Sequence, residues 1–299
     1  MLEEEIMSYI FIDGKFYEKE NAKISVFDHG LLYGDGVFEG IRAYSGHVFK
    51  LKEHIDRLFD AARAIDLKIP YSKEEIMDIV CKSCAKNDIK NGYIRLVVTR
   101  GVGDLGLSPT NCKGASLICI AANVKLYSTE MYEKGLKVAT ASQRRAHGAI
   151  LDPQIKSLNY LNNIMAKMEA NRQNCGEAIM LNSEGWVCEC TGDNIFIIKN
   201  NVIYTPPTYM GLLAGVTRNV VIEIATKLGY VVKEVPFTLF NVYSADECFL
   251  TGTAAELISV SEADGRTIGA GVTGPVTKKL LAAFREYAND PKNGMPIKY

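Results

Sequence analysis

The side chain with the most chemical potential in this sequence is Lys156, an amine set among amides and apolar residues in QIKSLNY, residues 154–160. A desolvated lysine has a lowered pKa, and its neutral amine can form a Schiff base with a carbonyl compound. A lone lysine at the start of a helical pattern is more often solvated, so its company decides. Glu189 lies in WVCECTGDN, residues 186–194, bracketed by Cys188 and Cys190 and followed by a glycine turn into the apolar run Ile195 to Ile198. An acid buried there needs a partner: an ordinary salt bridge is one solution, and a pyridinium nitrogen is another. Gly215-Val216-Thr217-Arg218 precedes Val220, Val221, Ile224, Ala225 and Leu228 at helical spacing, which makes a helix N-terminus suited to a phosphate. Thr251 to Ala255, TGTAA, ends a predicted strand with a second turn of small residues and hydroxyls. Together a lysine, an acid and two such turns are the parts needed to hold a phosphorylated pyridine aldehyde.

Other motifs lead elsewhere or nowhere. Gly101-Val-Gly-Asp-Leu-Gly106 matches GxGxxG after a strand, as a dinucleotide-dependent oxidoreductase would require. It opens no helix, because Ser108-Pro109-Thr110 follows, and residues 121–127 supply no acid for a ribose. It is read as a flexible loop of the kind that covers a site. The cluster Tyr33 to Gly40, flanked by His29 and Arg42, lacks the lysine and hydroxyl ending of a P-loop and is read as tight turns beside two aromatics. The four histidines have no ligand spacing, so no metal is expected. Cys81 and Cys84 form a CxxC inside an apolar helical rhythm and are read as core, with a redox pair as the alternative.

The elements that must position these residues mix strands and helices. Asp13-Gly14 predicts a hairpin between Tyr9 to Ile12 and Lys15 to Tyr17. A strand at Val48 to Leu51, helices over about 55–65 and 73–87 (the second opened by the capping box Ser72/Glu75), and strands at Tyr93 to Thr99 and Ala115 to Ala122 complete a small N-terminal α/β domain, 1–124. Periodicity lapses at 125–134, the expected interdomain linker, and a large C-terminal α/β domain, 135–299, follows. In it strands are predicted at 136–141, 178–181, 195–198, 202–205, 231–235 and 247–251, and helices at 158–172, 217–228 and 275–288.

Composition bounds the partners. With 299 residues, 34 basic against 35 acidic side chains and 47% hydrophobic content, the chain is an ordinary globular protein with no global attraction to nucleic acid or an anionic membrane. Small molecules or other proteins are the expected partners. The longest apolar run, residues 115–124, is too short to span a bilayer, and the acidic N-terminus does not resemble a secretory signal. Eight scattered cysteines are expected as reduced thiols in a cytoplasm.

The order of motifs resembles the class IV aminotransferases, the fold-type IV pyridoxal-phosphate enzymes, and among them the branched-chain amino-acid aminotransferases. The resemblance is carried by FDHGLLYGDGVFEGIRAY, EHIDRL, YIR, IKSLNY, ECTGDNIF, GVTR and LTGTAAE, in order from Tyr9 to about Arg285. It implies two α/β domains with pyridoxal 5'-phosphate in the cleft between them, and a homodimer or larger assembly in which Gly101 to Ser108 of one subunit reaches the neighbouring site. Lys156 would hold the cofactor covalently and shuttle the proton. Glu189 would face the ring nitrogen, Tyr160 the ring hydroxyl, and Arg57, Gly215, Val216, Thr217 and Thr253 the phosphate. Tyr33, Phe38, Gly40, Tyr93, Arg95, Tyr127, Ala254 and Ala255 would form the substrate pocket. The implied activity moves the amino group of leucine, isoleucine or valine to 2-oxoglutarate. D-amino-acid aminotransferase and aminodeoxychorismate lyase share the lysine, the acid and the phosphate turns; the triplet Tyr93-Ile94-Arg95 favours the branched-chain member. The pair of thiols around Glu189 departs from the family's commonest pattern.

Overall fold

The computed structural model describes residues 8–123 and 127–299, so residues 1–7 of the expected first domain and 124–126 around the expected linker lie outside the description. In chain order β1 (Tyr9–Ile12), β2 (Lys15–Glu18), α1 (His29–Tyr33), β3 (Gly36–Tyr44), β4 (His47–Phe49), α2 (Leu51–Ala64), α3 (Lys73–Lys86), β5 (Gly92–Thr99) and β6 (Ser116–Ala122) come first. They are followed by α4 (Thr129–Lys134), β7 (Leu136–Thr140), α5 (Gly148–Leu151), α6 (Leu161–Arg172), β8 (Glu177–Leu181), β9 (Val187–Cys190), β10 (Asn194–Lys199) and β11 (Val202–Thr205). Then come α7 (Val216–Lys227), β12 (Val231–Glu234), α8 (Leu239–Tyr243), β13 (Glu247–Gly252), β14 (Glu256–Ala263), β15 (Arg266–Thr267), α9 (Pro275–Asn289) and β16 (Gly294–Pro296). They form two compact units: Met1–Val124 with Ile155–Asn159 and Ala288–Tyr299, and Lys125–Gln154 with Tyr160–Tyr287.

The first unit is an antiparallel sheet in the order β16-β4-β3-β5-β6-β1-β2. Asp13 and Gly14 take φ of 46° and 89°, the positive values that a two-residue hairpin turn needs. Helices α2 and α3 bury Ile55, Leu58, Ala62, Ile76 and Val80 against Val37, Ile41, Ile94, Leu96 and Leu117 of the sheet. Ser72 and Glu75 make both hydrogen bonds of the capping box that starts α3. Cys81, Cys84 and Cys119 lie in the same core. Burial pushes Cys81 up to about 11 and Cys119 up to about 12, away from the thiolate a redox pair would use.

Two expectations about this unit are corrected. The cluster Tyr33 to Gly40 is a turn only at Gly34, whose φ is 68°; from Gly36 onward it is a buried nine-residue strand. The glycines serve close approach instead: a Cβ on Gly36 would lie 2.5 Å from the Val98 carbonyl oxygen. The domain boundaries also shift, because Ile155–Asn159 belongs to this unit and not to the second. That segment is extended rather than helical. The Phe38 N–H donates to the Lys156 carbonyl (2.9 Å), the Leu158 N–H donates to the Gly36 carbonyl (3.0 Å), and Val37 bridges Ser157. The predicted helix 158–172 accordingly starts at Leu161.

The second unit is a mixed sheet in the order β12-β11-β10-β13-β14-β7-β8-β9, with β15 beside β14. Its parallel pairs are β11/β12, β14/β7 and β7/β8. Phe196 and Phe249 face each other across β10 and β13 with rings stacked 4.9 Å apart. In the segment expected as a linker, 129–134 form α4, capped by Ser128, whose hydroxyl accepts from the Met131 N–H. Its short length hides it from a periodicity argument, since six residues make fewer than two turns.

Candidate active site

In the first unit Lys156 is half-buried, its Nζ 4.7 Å from the centre of the Phe38 ring. Two residues further along β3, Gly40 is paired with Arg95 of β5. The Arg95 guanidinium lies 4.6 Å from the Phe38 ring and donates through Nη2 to the Tyr93 hydroxyl at 3.0 Å. The Tyr93 hydroxyl occupies the space a side chain at position 40 would need: an ideal Cβ there would lie 2.1 Å from it. Phe38, Gly40, Tyr93, Arg95 and Lys156 are thus gathered on the paired strands β3 and β5 and the segment bonded to β3.

Arg57 is also in this unit. Its Nε donates to Glu39 Oε1 (2.7 Å) and its Nη2 to Glu39 Oε2 (2.8 Å), a bidentate pair with the fully buried carboxylate. His54, one turn earlier on α2, meets the same Oε2 through Nδ1 at 2.7 Å. Burial raises the Glu39 carboxyl, but Arg57 and His54 overcome it and hold it well below the usual carboxylate range. Burial pushes His54 down and outweighs the pull of Glu39, with the Arg57 and Lys156 charges adding to the lowering. Sequence reasoning selected Arg57 and missed Glu39 and His54, although both stand in the motifs that carry the resemblance.

Tyr33 sits at the end of α1, and its hydroxyl donates to the Leu105 carbonyl (2.7 Å), while His29 Nε2 lies 2.9 Å from the Asp104 carbonyl. These contacts hold the glycine-rich loop. It runs into a 3-10 turn at Pro109–Asn111 and not into an α-helix, as the rejection of a dinucleotide fingerprint required. Leu105 and Leu107 stand 69% and 80% exposed at its tip.

The second unit brings together three turns. Glu189, on β9, is 5% exposed. Its Oε1 accepts from Arg145 Nε (2.8 Å) and pairs with Arg145 Nη2 (2.7 Å); its Oε2 accepts from the Leu213 N–H (3.1 Å) and Asn194 Nδ2 (3.3 Å). The partner expected for a buried acid is therefore an arginine of this chain. Arg145 also donates to Asn163 Oδ1 of α6 (2.9 Å). Sequence reasoning missed Arg145; the adjacent pair Arg144-Arg145 after β7 was the available signal. Gly215 begins α7 with no side-chain cap, and a Cβ on it would lie 2.1 Å from Asn194 Oδ1. A Cβ on Gly252 would lie 1.9 Å from Asp193 Oδ1. So the turns at 191–194, 213–217 and 251–255 meet at glycines, the one residue type that permits it.

Val216 and Thr217 are buried at the start of α7, where helix geometry leaves N–H groups without intrahelical partners. Arg218, next to them, is committed to the Pro206 carbonyl (3.0 Å) and Glu234 (2.6 Å). Thr253 and Ala254 lie on the turn between β13 and β14, and Ala255 is buried, its carbonyl accepting from the Tyr132 hydroxyl at 3.0 Å. Tyr127 packs edge-on against Tyr132, and Tyr160 immediately precedes α6. The Thr251 hydroxyl is buried without a hydrogen-bond partner. An orphaned hydroxyl beside an uncapped helix start and a turn closed by glycines fits a phosphate, which would satisfy these donors.

A family model described as amino-transferase class IV matches residues 36–263. The chain belongs to the class IV aminotransferases. It is 52% identical over 277 residues to a putative branched-chain-amino-acid aminotransferase of Methanocaldococcus jannaschii, covering 93% of this chain and 95% of that protein. The solved branched-chain amino acid aminotransferase of Thermobaculum terrenum, in its PLP-form, is 28% identical, with a TM-score of 0.90 and with 99% of this chain and 100% of that one covered. A D-alanine aminotransferase of Listeria monocytogenes is 39% identical over 279 residues, 93% of this class IV chain and 95% of that one. The fold-type IV architecture expected from the motif order is the one observed. Among the described residues no helix is long and apolar enough to cross a membrane, and no group of three or more histidines, cysteines and acids could hold a metal ion.

Proposed function

We propose that this chain is a pyridoxal 5'-phosphate-dependent branched-chain amino-acid aminotransferase, transferring the amino group of leucine, isoleucine or valine to 2-oxoglutarate. The observation that carries the reading is the hydrogen-bonding of the Lys156 segment to β3, which sets one amine against the Phe38 ring, the ring that Arg95 also approaches, within a class IV chain. Bound there, the cofactor supplies the electron sink that transamination needs. The chain supplies the rest. Lys156 would hold the cofactor through its amine, and the same amine would move the proton at the substrate Cα. Glu189, anchored by Arg145 and Asn194, would hold the ring nitrogen, and Tyr160 the ring hydroxyl. Arg57 gives a planar cation to the phosphate, and Gly215, Val216, Thr217 and Thr253 give N–H and hydroxyl donors.

The substrate pocket in this reading is formed by Tyr33, Phe38, Gly40, Tyr93, Arg95, Tyr127, Ala254 and Ala255. Aromatic and small residues suit a branched apolar side chain, and Arg95 suits the second carboxylate of 2-oxoglutarate or glutamate. Apolar side chains exposed on α1 and the 101–108 loop support a homodimer or larger assembly. Eight free cysteines support a reducing cytoplasm. The likeness to a D-alanine aminotransferase favours a D-amino-acid enzyme as the second reading. Coupled assay of glutamate formed from 2-oxoglutarate separates them: L-leucine as the better donor supports the proposal, and D-alanine as the better donor overturns it.

A further inference from the structure

Arg57 does not stand alone on α2. Its guanidinium gives two of its five N–H donors to the Glu39 carboxylate, and His54 gives that carboxylate a third contact. Glu39 is 0% exposed and His54 2%, so the group is a built feature of the interior rather than a surface ion pair. His54 and Arg57 are three residues apart on one helix face, and a single acid on the facing strand ties both down. The position of Glu39 on that strand matters as much as its charge. The residue before it, Phe38, donates its N–H to the Lys156 carbonyl, and the Leu158 N–H donates to Gly36. Adjacent residues of β3 therefore hold the Lys156 backbone and the Arg57 side chain.

We propose that Glu39 and His54 are positioning residues for Arg57, so that strand β3 fixes the separation between Lys156, at the aldehyde end of the cofactor, and Arg57, at its phosphate end. The inference rests on the cofactor assignment above and adds to it a role for two buried side chains that would touch no ligand. A bidentate pair locks both the plane and the direction of a guanidinium, and a flexible arginine would lose rotamer freedom only on binding. Removing the lock weakens the grip on phosphate without altering the amine that takes the aldehyde.

The experiment measures equilibrium binding of pyridoxal 5'-phosphate and of pyridoxal, which lacks the phosphate, to the full chain and to Glu39→Gln, His54→Ala and His54→Asn. Glutamine keeps the shape of Glu39 but turns a donor toward the arginine donors. Asparagine can return one N–H to Glu39 in place of His54 Nδ1. The expected result is a loss of about tenfold or more in affinity for the phosphorylated ligand in Glu39→Gln and His54→Ala, on the scale of second-layer partners of bound groups. Pyridoxal affinity is expected to stay within about twofold of the parent, and His54→Asn to recover most of the loss. Should Glu39→Gln fail to fold, the two His54 variants carry the comparison. Equal losses for both ligands would mean a merely structural role and overturn the proposal, as would unchanged affinity for the phosphorylated ligand. If the parent chain binds neither ligand, the cofactor assignment itself falls.

Discussion

Gly40→Ala is a small change whose consequence can be worked from the geometry. The added methyl would lie 2.1 Å from the Tyr93 hydroxyl and 2.9 Å from Tyr93 Cζ. Carbon and oxygen in contact need roughly 3.4 Å, so the hydroxyl must retreat by more than an ångström. The backbone cannot supply that movement, because β3 and β5 are paired in continuous register from Gly36/Thr99 to Ala43/Gly92. The Tyr93 ring must swing instead, and it takes with it the acceptor that Arg95 Nη2 holds at 3.0 Å. Overpacking of this kind costs about 1–3 kcal/mol. Felt at the transition state, that is a fall of about fivefold to 150-fold in kcat/KM for L-leucine. Because the nearest atom is the end of a side chain, the fold should survive, with a urea midpoint lowered by no more than this strain allows. Tyr93→Phe in the same chain removes the atom at 2.1 Å and should return part of the lost activity. Steady-state kinetics on the parent, the single and the double variant test this. An unchanged kcat/KM in Gly40→Ala, or a double variant worse than the sum of its parts, would refute the assignment of these residues to the pocket.

Three further outcomes follow from the same contacts. Arg145→Met leaves the buried Glu189 without its ion-pair partner and should destabilise the chain by about 3–5 kcal/mol, read as a lower urea midpoint. Gly215→Ala drives a methyl against Asn194 Oδ1 and should weaken pyridoxal 5'-phosphate binding, measured by dialysis, by about tenfold for a clash of 1–2 kcal/mol. Acidification should cost stability in two windows. His54, held below its ordinary value of 6.5 by burial, favours the folded state above that pH and loses this contribution as pH falls beneath it. Glu39, held below 4.5, does the same in a more acidic window. Urea midpoints of the parent and His54→Asn at a series of pH values should therefore converge as pH falls below about 6.5.

How much of this was legible in the sequence depends on the range of the interaction. The hairpin at Asp13-Gly14 and the capping box at Ser72 and Glu75 are local devices, and both stand where their residue types indicate. Strand β3 was hidden because it is buried along its whole length, so no alternation marks it, and its glycines mimic a turn cluster. The Lys156 segment was read as a helix start because its hydrogen-bond partners, Gly36 and Phe38, are distant in the chain, as the 125-residue separation of Asn159 from Gly34 illustrates. The same limit hid the pairs Arg145 with Glu189 and Arg57 with Glu39, since charge alone does not say which acid an arginine will find. The order of short motifs was more informative than any of them singly, because it constrains the whole chain.

The central claim is tested most directly by borohydride reduction of the chain loaded with pyridoxal 5'-phosphate, followed by peptide mapping. The account predicts a single phosphopyridoxyl label on the peptide containing Lys156, abolished in Lys156→Ala. A label on another lysine, or none, would contradict it.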